Sequence, residues 1–169
     1  MEKIYGAQAR QDCLMQIGTN KFEIIYGFGK DNENDETGWN YRQRFSHRPS
    51  LEEIKSVINA QIDADIDEST MNGMKWNGMP VCLDAEFQTN VLGILAILSL
   101  KGDSLFPKMF KLGNYPDGTP AFHTFTTALE FADFADALMN HKEACYKAGW
   151  QQKQILNDDD WSAYKDVLL

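Results

Sequence analysis

The three histidines are the side chains of this sequence best suited to acid–base or metal chemistry. They are His47, His123 and His141, and none has the His-x-x-x-His or Cys-x-x-Cys spacing that zinc sites use. His123 lies beside aromatic residues on a predicted strand, where its pKa could be tuned for a base. A strand histidine is more often hydrogen-bonded or at the surface. We therefore interpret His123 as structural and expect His141 to be solvated.

Neither the cysteines nor the serines lie in a sequence motif that marks a catalytic nucleophile. Cys13, Cys82 and Cys145 are odd in number and far apart, so we predict free thiols that pack in the fold. Nucleophile elbows, phosphate-binding loops and dinucleotide fingerprints are absent from the sequence. We predict no catalytic residue, no cofactor and no enzyme activity. A glycosidase-like carboxylate pair stays open as an alternative, because no spacing selects one pair among the many acids.

Two acidic runs could bind a divalent cation. In the run that starts at Asp31, an EF-hand loop would need glycine where Glu36 stands and glutamate where Arg42 stands. The Asp158-Asp159-Asp160 run suits the cap of a short final helix. We therefore predict no metal site.

Composition narrows the classes of partner. The chain has 169 residues, 43% of them hydrophobic and 12% aromatic, which suffices for one domain with a sizeable core. Its net charge of −9 disfavours a nucleic-acid partner. The longest apolar stretch, residues 91–100, is too short to span a bilayer, so no membrane insertion is expected. The first residues lack the apolar run of a signal peptide.

Alternating apolar residues from 4 to 28 predict hairpins, with a turn at Gly18-Thr19-Asn20-Lys21. An acidic loop follows, and residues 39–45 read as a half-exposed strand. We predict an N-terminal β element over residues 1–38 and an α+β domain over 39–169. Residues 1–38 either dock on a partner by strand addition or complete the domain's own sheet.

Three helices are predicted from caps and apolar spacing. The first begins with a capping box of Ser50 and Glu53 and ends near residues 71–73. Asp84 caps the second, residues 85–101, which is apolar on most sides and therefore central in the core or in a subunit interface. The third begins with a capping box of Thr127 and Glu130 and runs to about residue 147, with Gly149 at C′.

Two hairpins separate these helices. Asn77-Gly78 is a tight-turn dipeptide, and residues 109–112 and 121–125 read as the strands of the second hairpin. The predicted fold is α+β, with antiparallel hairpins packed against about three helices and an N-terminal β element. Core and turn roles, rather than a ligand platform, are predicted for Trp76, Asn77, Gly78, Pro80, Phe110, His123, Phe125 and Trp150.

The segment Trp76-Asn77-Gly78-Met79-Pro80-Val81 resembles a domain of unknown function from tail-fibre-associated proteins of tailed bacteriophages and prophages, with relatives in gut Bacteroidales. The likeness spans about residues 45–152. It continues through Leu83, Phe110-Lys111-Leu112-Gly113, Pro120, His123-Thr124-Phe125, Leu129-Glu130, Asp133-Phe134 and Gly149-Trp150. Cys82 departs from the family's pattern, which favours a bulky aromatic there. The resemblance implies no catalytic residues.

The resemblance implies a phage virion-associated structural protein, a tail or fibre component that acts through protein–protein interaction. Its partners would be other virion proteins or further copies of itself, in the particle and in the host cytoplasm during assembly. A homo-oligomer is expected, since particles repeat small chains by symmetry. A tail-fibre assembly chaperone is the alternative, and a glycan-acting hydrolase is a third hypothesis.

Overall fold

The elements follow one another as the sequence predicts, and the fold class is confirmed as α+β. A computed structural model describes residues 1–155 and 160–168. The strands are β1 (Glu2–Ala7), β2 (Cys13–Gly18), β3 (Lys21–Gly29), β4 (Gly38–Phe45), β5 (Met74–Trp76), β6 (Met79–Val81), β7 (Lys108–Asn114), β8 (Pro120–Phe125) and β9 (Val167–Leu168). The α-helices are α1 (Leu51–Asn72), α2 (Ala85–Lys101) and α3 (Ala128–Ile155), and Gly102–Leu105 and Asp160–Tyr164 are 3-10 helices.

The chain forms two compact units. The sheet unit comprises residues 1–63 with the described residues from 151 onward, and the hairpin unit comprises Ala64–Trp150. The division falls within α1 and within α3. None of the helices described is both long and apolar enough to cross a bilayer.

A five-stranded sheet, ordered β1-β4-β3-β2-β9, organises the sheet unit. Its pairs are antiparallel except β2 with β9, and the predicted turn after β2 is confirmed, with Asn20 at a φ of 55°. The N-terminal strands thus share one sheet with β4 and β9. A boundary after residue 38 and a docking role for residues 1–38 stay predictions.

Glu23 is a buried carboxylate in this sheet. It accepts hydrogen bonds from Arg42 Nη1 at 3.1 Å and Arg44 Nε at 2.8 Å, both on the neighbouring strand β4. Two guanidinium partners offset the cost of removing a carboxylate from water, which an unpaired acid would bear in full. Arg44 itself is largely exposed.

Helix α1 begins with the predicted capping box. The amide of Glu53 donates to Ser50 Oγ at 3.2 Å, and the amide of Ser50 donates to Glu53 Oε2 at 2.8 Å. The hydrogen bond from the Ser50 amide is the main cause that lowers the pKa of Glu53, with His47 contributing next. The helix ends at Asn72, as expected from Gly73.

The first hairpin of the hairpin unit turns at the predicted dipeptide. Asn77 has a φ of 49° and Gly78 a φ of 79°, the left-handed pair that a two-residue turn needs. The residue after β6 lies beside β7, because the Cys82 amide donates to the Leu112 carbonyl at 2.8 Å.

We expect Gly78→Val to destabilise the protein by about 1–3 kcal/mol, because a β-branched residue is strained at positive φ. Nothing lies within 4 Å of the added Cβ, so backbone strain rather than a clash would cause the loss. Thermal unfolding measures it. Asn77→Gly is the matched control and keeps the melting temperature, since glycine accepts positive φ without strain. An unchanged melting temperature for Gly78→Val would contradict the turn conformation.

The predicted end of the third helix is wrong. Helix α3 continues to Ile155, so Gly149 lies inside it rather than at C′. A Cβ on Gly149 would collide with Ile66 on α1, which shows that this glycine allows close packing of the two helices. Trp150 is also not a core residue, because 60% of it is exposed and its ring stacks on Tyr146. Helical periodicity alone reveals neither feature.

Three smaller predictions, about a histidine, the thiols and a helix cap, have different outcomes. His141 is not simply solvated: it is half-buried, and its Nε2 donates to the Ser69 carbonyl at 3.0 Å. The three cysteines are free, with Cys13 buried and the other two half-buried, so the free-thiol prediction is confirmed. The predicted cap in the 158–160 run falls on residues 158 and 159, outside the described residues, and on Asp160, whose side chain is not described.

The second helix has the predicted bounds, and its N-cap is confirmed, since Asp84 Oδ1 accepts from the Phe87 amide at 2.7 Å. Its central-core interpretation is wrong. Only Phe87, Val91 and Ile94 are buried, all on one face of the helix.

Candidate interaction surface

An aromatic core supports the surfaces of the hairpin unit. Phe125, Phe131 and Phe134 are fully buried, with ring centroids 5.0–6.2 Å apart. Trp76 packs edge-on against Phe134 at 5.2 Å, and Phe110 packs against Phe125 at 5.6 Å. The structure therefore brings Trp76, Phe110 and Phe125 into the same hydrophobic cluster.

His123 connects strand β8 to the start of α3. Its Nε2 donates to Glu130 Oε1 at 2.8 Å, and its ring packs edge-on against Phe125 at 4.6 Å. The other carboxylate oxygen of Glu130 accepts from the amide and hydroxyl of Thr126 at 2.7 and 2.9 Å. The predicted capping box is therefore shifted: Thr127 Oγ accepts from the Glu130 amide, but Glu130 reaches back to Thr126. These bonds fit a structural histidine that fixes a strand to a helix.

The carboxylate of Glu130 should make stability depend on pH. Hydrogen bonds from the Thr126 amide and then from His123 lower its pKa. Its stabilising contribution is therefore fully present above the ordinary glutamate pKa of about 4.3, and it is lost as pH falls through the lowered value. We expect Glu130→Gln to lower the melting temperature at pH 7, with a difference that shrinks below about pH 4.

Melting curves from pH 7 to pH 3 provide the measurement for Glu130. Glu143→Gln is the matched control, because a hydrogen bond from Lys147 and then the charge of that exposed lysine lower the pKa of Glu143. About 1 M salt should weaken the control's exposed charged contact but retain most of the difference for Glu130→Gln, whose largest contribution is the hydrogen bond from the Thr126 amide. A difference for Glu130→Gln that stays constant with pH would contradict this role.

Helix α2 presents an apolar face to solvent. At about 100° per residue, Leu92, Ala96 and Leu100 lie opposite the buried Phe87 and Val91. Leu92 is 63% exposed, Ile97 40% and Leu100 83%. We call the exposed positions on this side, Thr89, Leu92, Gly93, Ala96, Ile97 and Leu100, the α2 outer face. No charged residue lies between Glu86 and Lys101 in the sequence.

Two open grooves flank the hairpins of this unit. One, of about 430 Å³, lies between the first turns of α2 and strand β7, with Glu86, Asn90 and Met109 among its lining residues. The other, of about 420 Å³, lies between the two hairpins and is lined in part by Gly78 and Pro80. Pro80 thus belongs to a surface groove as well as to the β5–β6 hairpin.

The structure places the residues of the predicted core and turn motif in three different locations. Trp76, Phe110 and Phe125 share the core, with His123 at its edge, while Asn77, Gly78 and Pro80 form the hairpin, and Trp150 is exposed on α3. The sequence identified Glu130 only as part of a capping box and of the family resemblance, and Gly113 only within that resemblance, and it did not single out the exposed side of α2. The uncharged stretch between Glu86 and Lys101 indicated that α2 is unusually apolar. The spacing of its apolar residues could not distinguish the buried face of the helix from the exposed face.

The α2 outer face can supply apolar contacts to another molecule. The side chains of the α2 outer face offer large apolar contacts and few polar groups, and apolar patches of this kind mark interaction sites. Over residues 1–155 and 160–168, no three His, Cys, Asp or Glu side chains converge in a way that could hold a metal ion.

Comparison with known proteins identifies a family. A family model described as Domain of unknown function (DUF4376) matches residues 53–167, a range that contains both hairpins and α2. No curated protein and no solved structure matches the chain.

Proposed function

We propose that this chain, which belongs to the family described as Domain of unknown function (DUF4376), is a phage virion-associated structural protein. In this proposal it is a tail or fibre component that acts through protein–protein interaction, present in the particle and in the host cytoplasm during assembly. The phage context rests on the resemblance of the motifs between Trp76 and Trp150 to tail-fibre-associated proteins. Its partners are other virion proteins or further copies of itself.

The observation that carries an interaction role is the α2 outer face. Leu92 and Leu100 are 63% and 83% exposed on a helix whose other side is anchored in the core by Phe87, Val91 and Ile94. Full burial of an exposed leucine by a partner would contribute about 1.5–3 kcal/mol of favourable free energy. A rigid helix presents them without the ordering cost that a flexible segment would incur on binding.

The charge of the chain supports the same class of partner. A net charge of −9 opposes contact with a phosphate backbone, so we propose no nucleic-acid partner. His123 and Glu130 form a close acid–base pair, but their hydrogen bonds hold β8 to α3. We propose no catalytic role for them.

Quantitative mass spectrometry of gradient-purified particles tests the proposal. We expect the chain in the particle at a fixed ratio to tail or fibre proteins, retained after washing in high salt. Presence in the infected-cell lysate together with absence from particles would contradict a structural role and support the assembly chaperone. A folded His123→Ala variant that lost a measurable glycan-cleaving activity would instead support the hydrolase hypothesis.

A pair of variants connects particle incorporation to the proposed surface. The double substitution Leu92→Glu and Leu100→Glu should reduce incorporation of the chain into particles. Leu129→Glu is the matched control, because Leu129 is 71% exposed but lies on α3 outside the α2 outer face. Equal incorporation of all three proteins would show that the α2 outer face is not the binding surface.

A further inference from the structure

We infer that the α2 outer face binds the same face of a second copy of this chain, with the two α2 helices antiparallel. This inference rests on the proposed interaction role of α2 and adds the identity of the partner and the orientation of the pair.

The first support is the spacing of the exposed residues. Within this face, Thr89, Leu92, Ala96 and Leu100 follow one another at intervals of three or four residues and are exposed. That spacing forms the continuous stripe by which two helices pack along their lengths. The small side chains at residues 93 and 96 let a second backbone approach between the two leucines, and nothing lies within 4 Å of a Cβ built on Gly93.

The second support is charge complementarity. Glu86 and Lys101 are the charged residues that bound the uncharged stretch, and both are exposed. Among the described residues, neither side chain has an ion-pair partner. They are equally far along the helix from the peptide that joins Gly93 to Ile94. At about 100° per residue, Glu86 lies roughly 80° and Lys101 roughly 140° from the middle of the stripe, both turned toward the same side of it.

A twofold axis at that midpoint brings Glu86 of each copy beside Lys101 of the other copy. A parallel twofold pair would instead place the equivalent flanks of the two copies on opposite sides of the interface, so Glu86 would not meet Lys101 of the other copy. The antiparallel arrangement also sets each helix dipole against its opposite. The face is therefore self-complementary, as a closed twofold dimer requires.

Sedimentation equilibrium of the full chain tests self-association. We expect the unmodified protein to form a dimer at micromolar concentration. The double substitution Leu92→Glu and Leu100→Glu should raise the dimer dissociation constant at least roughly 100-fold, since four buried leucines per dimer become charged. Leu129→Glu should leave it unchanged. Circular dichroism should show all variants folded, because the altered residues are exposed.

Charge exchange tests the orientation. Glu86→Lys alone or Lys101→Glu alone should raise the dissociation constant roughly 10-fold at low salt, and the two together should restore it. Failure of the double exchange to restore dimerisation would overturn the antiparallel arrangement.

A strict monomer, or a dimer unaffected by the leucine substitutions, would overturn the self-pairing of α2. Detection of the chain in particles by mass spectrometry is a separate readout, so that failure would be distinct from failure of the proposed virion role.

Discussion

Replacing Phe125 with alanine is expected to lower the free energy of unfolding by about 3–5 kcal/mol, the usual cost of deleting a buried phenylalanine ring. Phe125 has no exposed surface, and its ring contacts those of Phe110, Phe131, Phe134 and His123. Loss of the ring would leave a cavity bounded by other rings that are themselves held in place. Urea unfolding followed by tryptophan fluorescence measures the change.

Phe122→Ala is the matched control for this substitution. Phe122 lies on the same strand, points to the other face and is 51% exposed, so its removal should cost less than about 1 kcal/mol. Similar losses for the two variants would mean that Phe125 is not at the centre of the hydrophobic core.

Replacing Gly113 with valine is expected to cost roughly 2–5 kcal/mol, from steric strain together with a disrupted hydrogen bond. A Cβ at this position would lie 2.8 Å from the Pro80 carbonyl oxygen and 3.1 Å from the Cys82 amide nitrogen. These are backbone atoms, which cannot move aside as the end of a side chain can. Separating the strands to relieve the clash would weaken the 2.8 Å bond from the Cys82 amide to the Leu112 carbonyl.

Lys111→Val provides the comparison on the same strand, because Lys111 is exposed and valine suits a strand. It should change stability by less than about 1 kcal/mol. Thermal and urea unfolding of both variants measure the difference. If Gly113→Val were as stable as the unmodified protein, the close approach of β6 to β7 would be refuted.

Local signals in the sequence were sufficient for most of the elements. Ser50 with Glu53 and Asp84 with Phe87 are interactions between near neighbours, so their capping geometry follows from residue types a few positions apart. The turn at Asn77-Gly78 is equally local, since positive φ depends on the two residues themselves. The fold class and both hairpins of the hairpin unit could be predicted for this reason.

The sequence was less informative where a residue's role depends on a distant neighbour. Gly149 was predicted to end α3, but it allows the approach of Ile66, which is far away in the sequence. Glu130 was predicted to cap a helix, and its second partner, His123, became evident only with the packing of β8 against α3. Trp150 has the large apolar side chain of a typical core residue, yet it lies on an exposed side of α3.

The candidate surface illustrates the same division. The sequence by itself determined that α2 is a capped and strongly apolar helix with no charged residue between Glu86 and Lys101, because caps and charges are properties of single residues. Only the tertiary structure decided that Phe87, Val91 and Ile94 are buried and that Leu92 and Leu100 face solvent. Because apolar side chains surround most of the helix, the helical periodicity of its hydrophobic residues is too weak to predict which face is buried. Packing against the aromatic core made that selection, and it left the opposite face available for a partner.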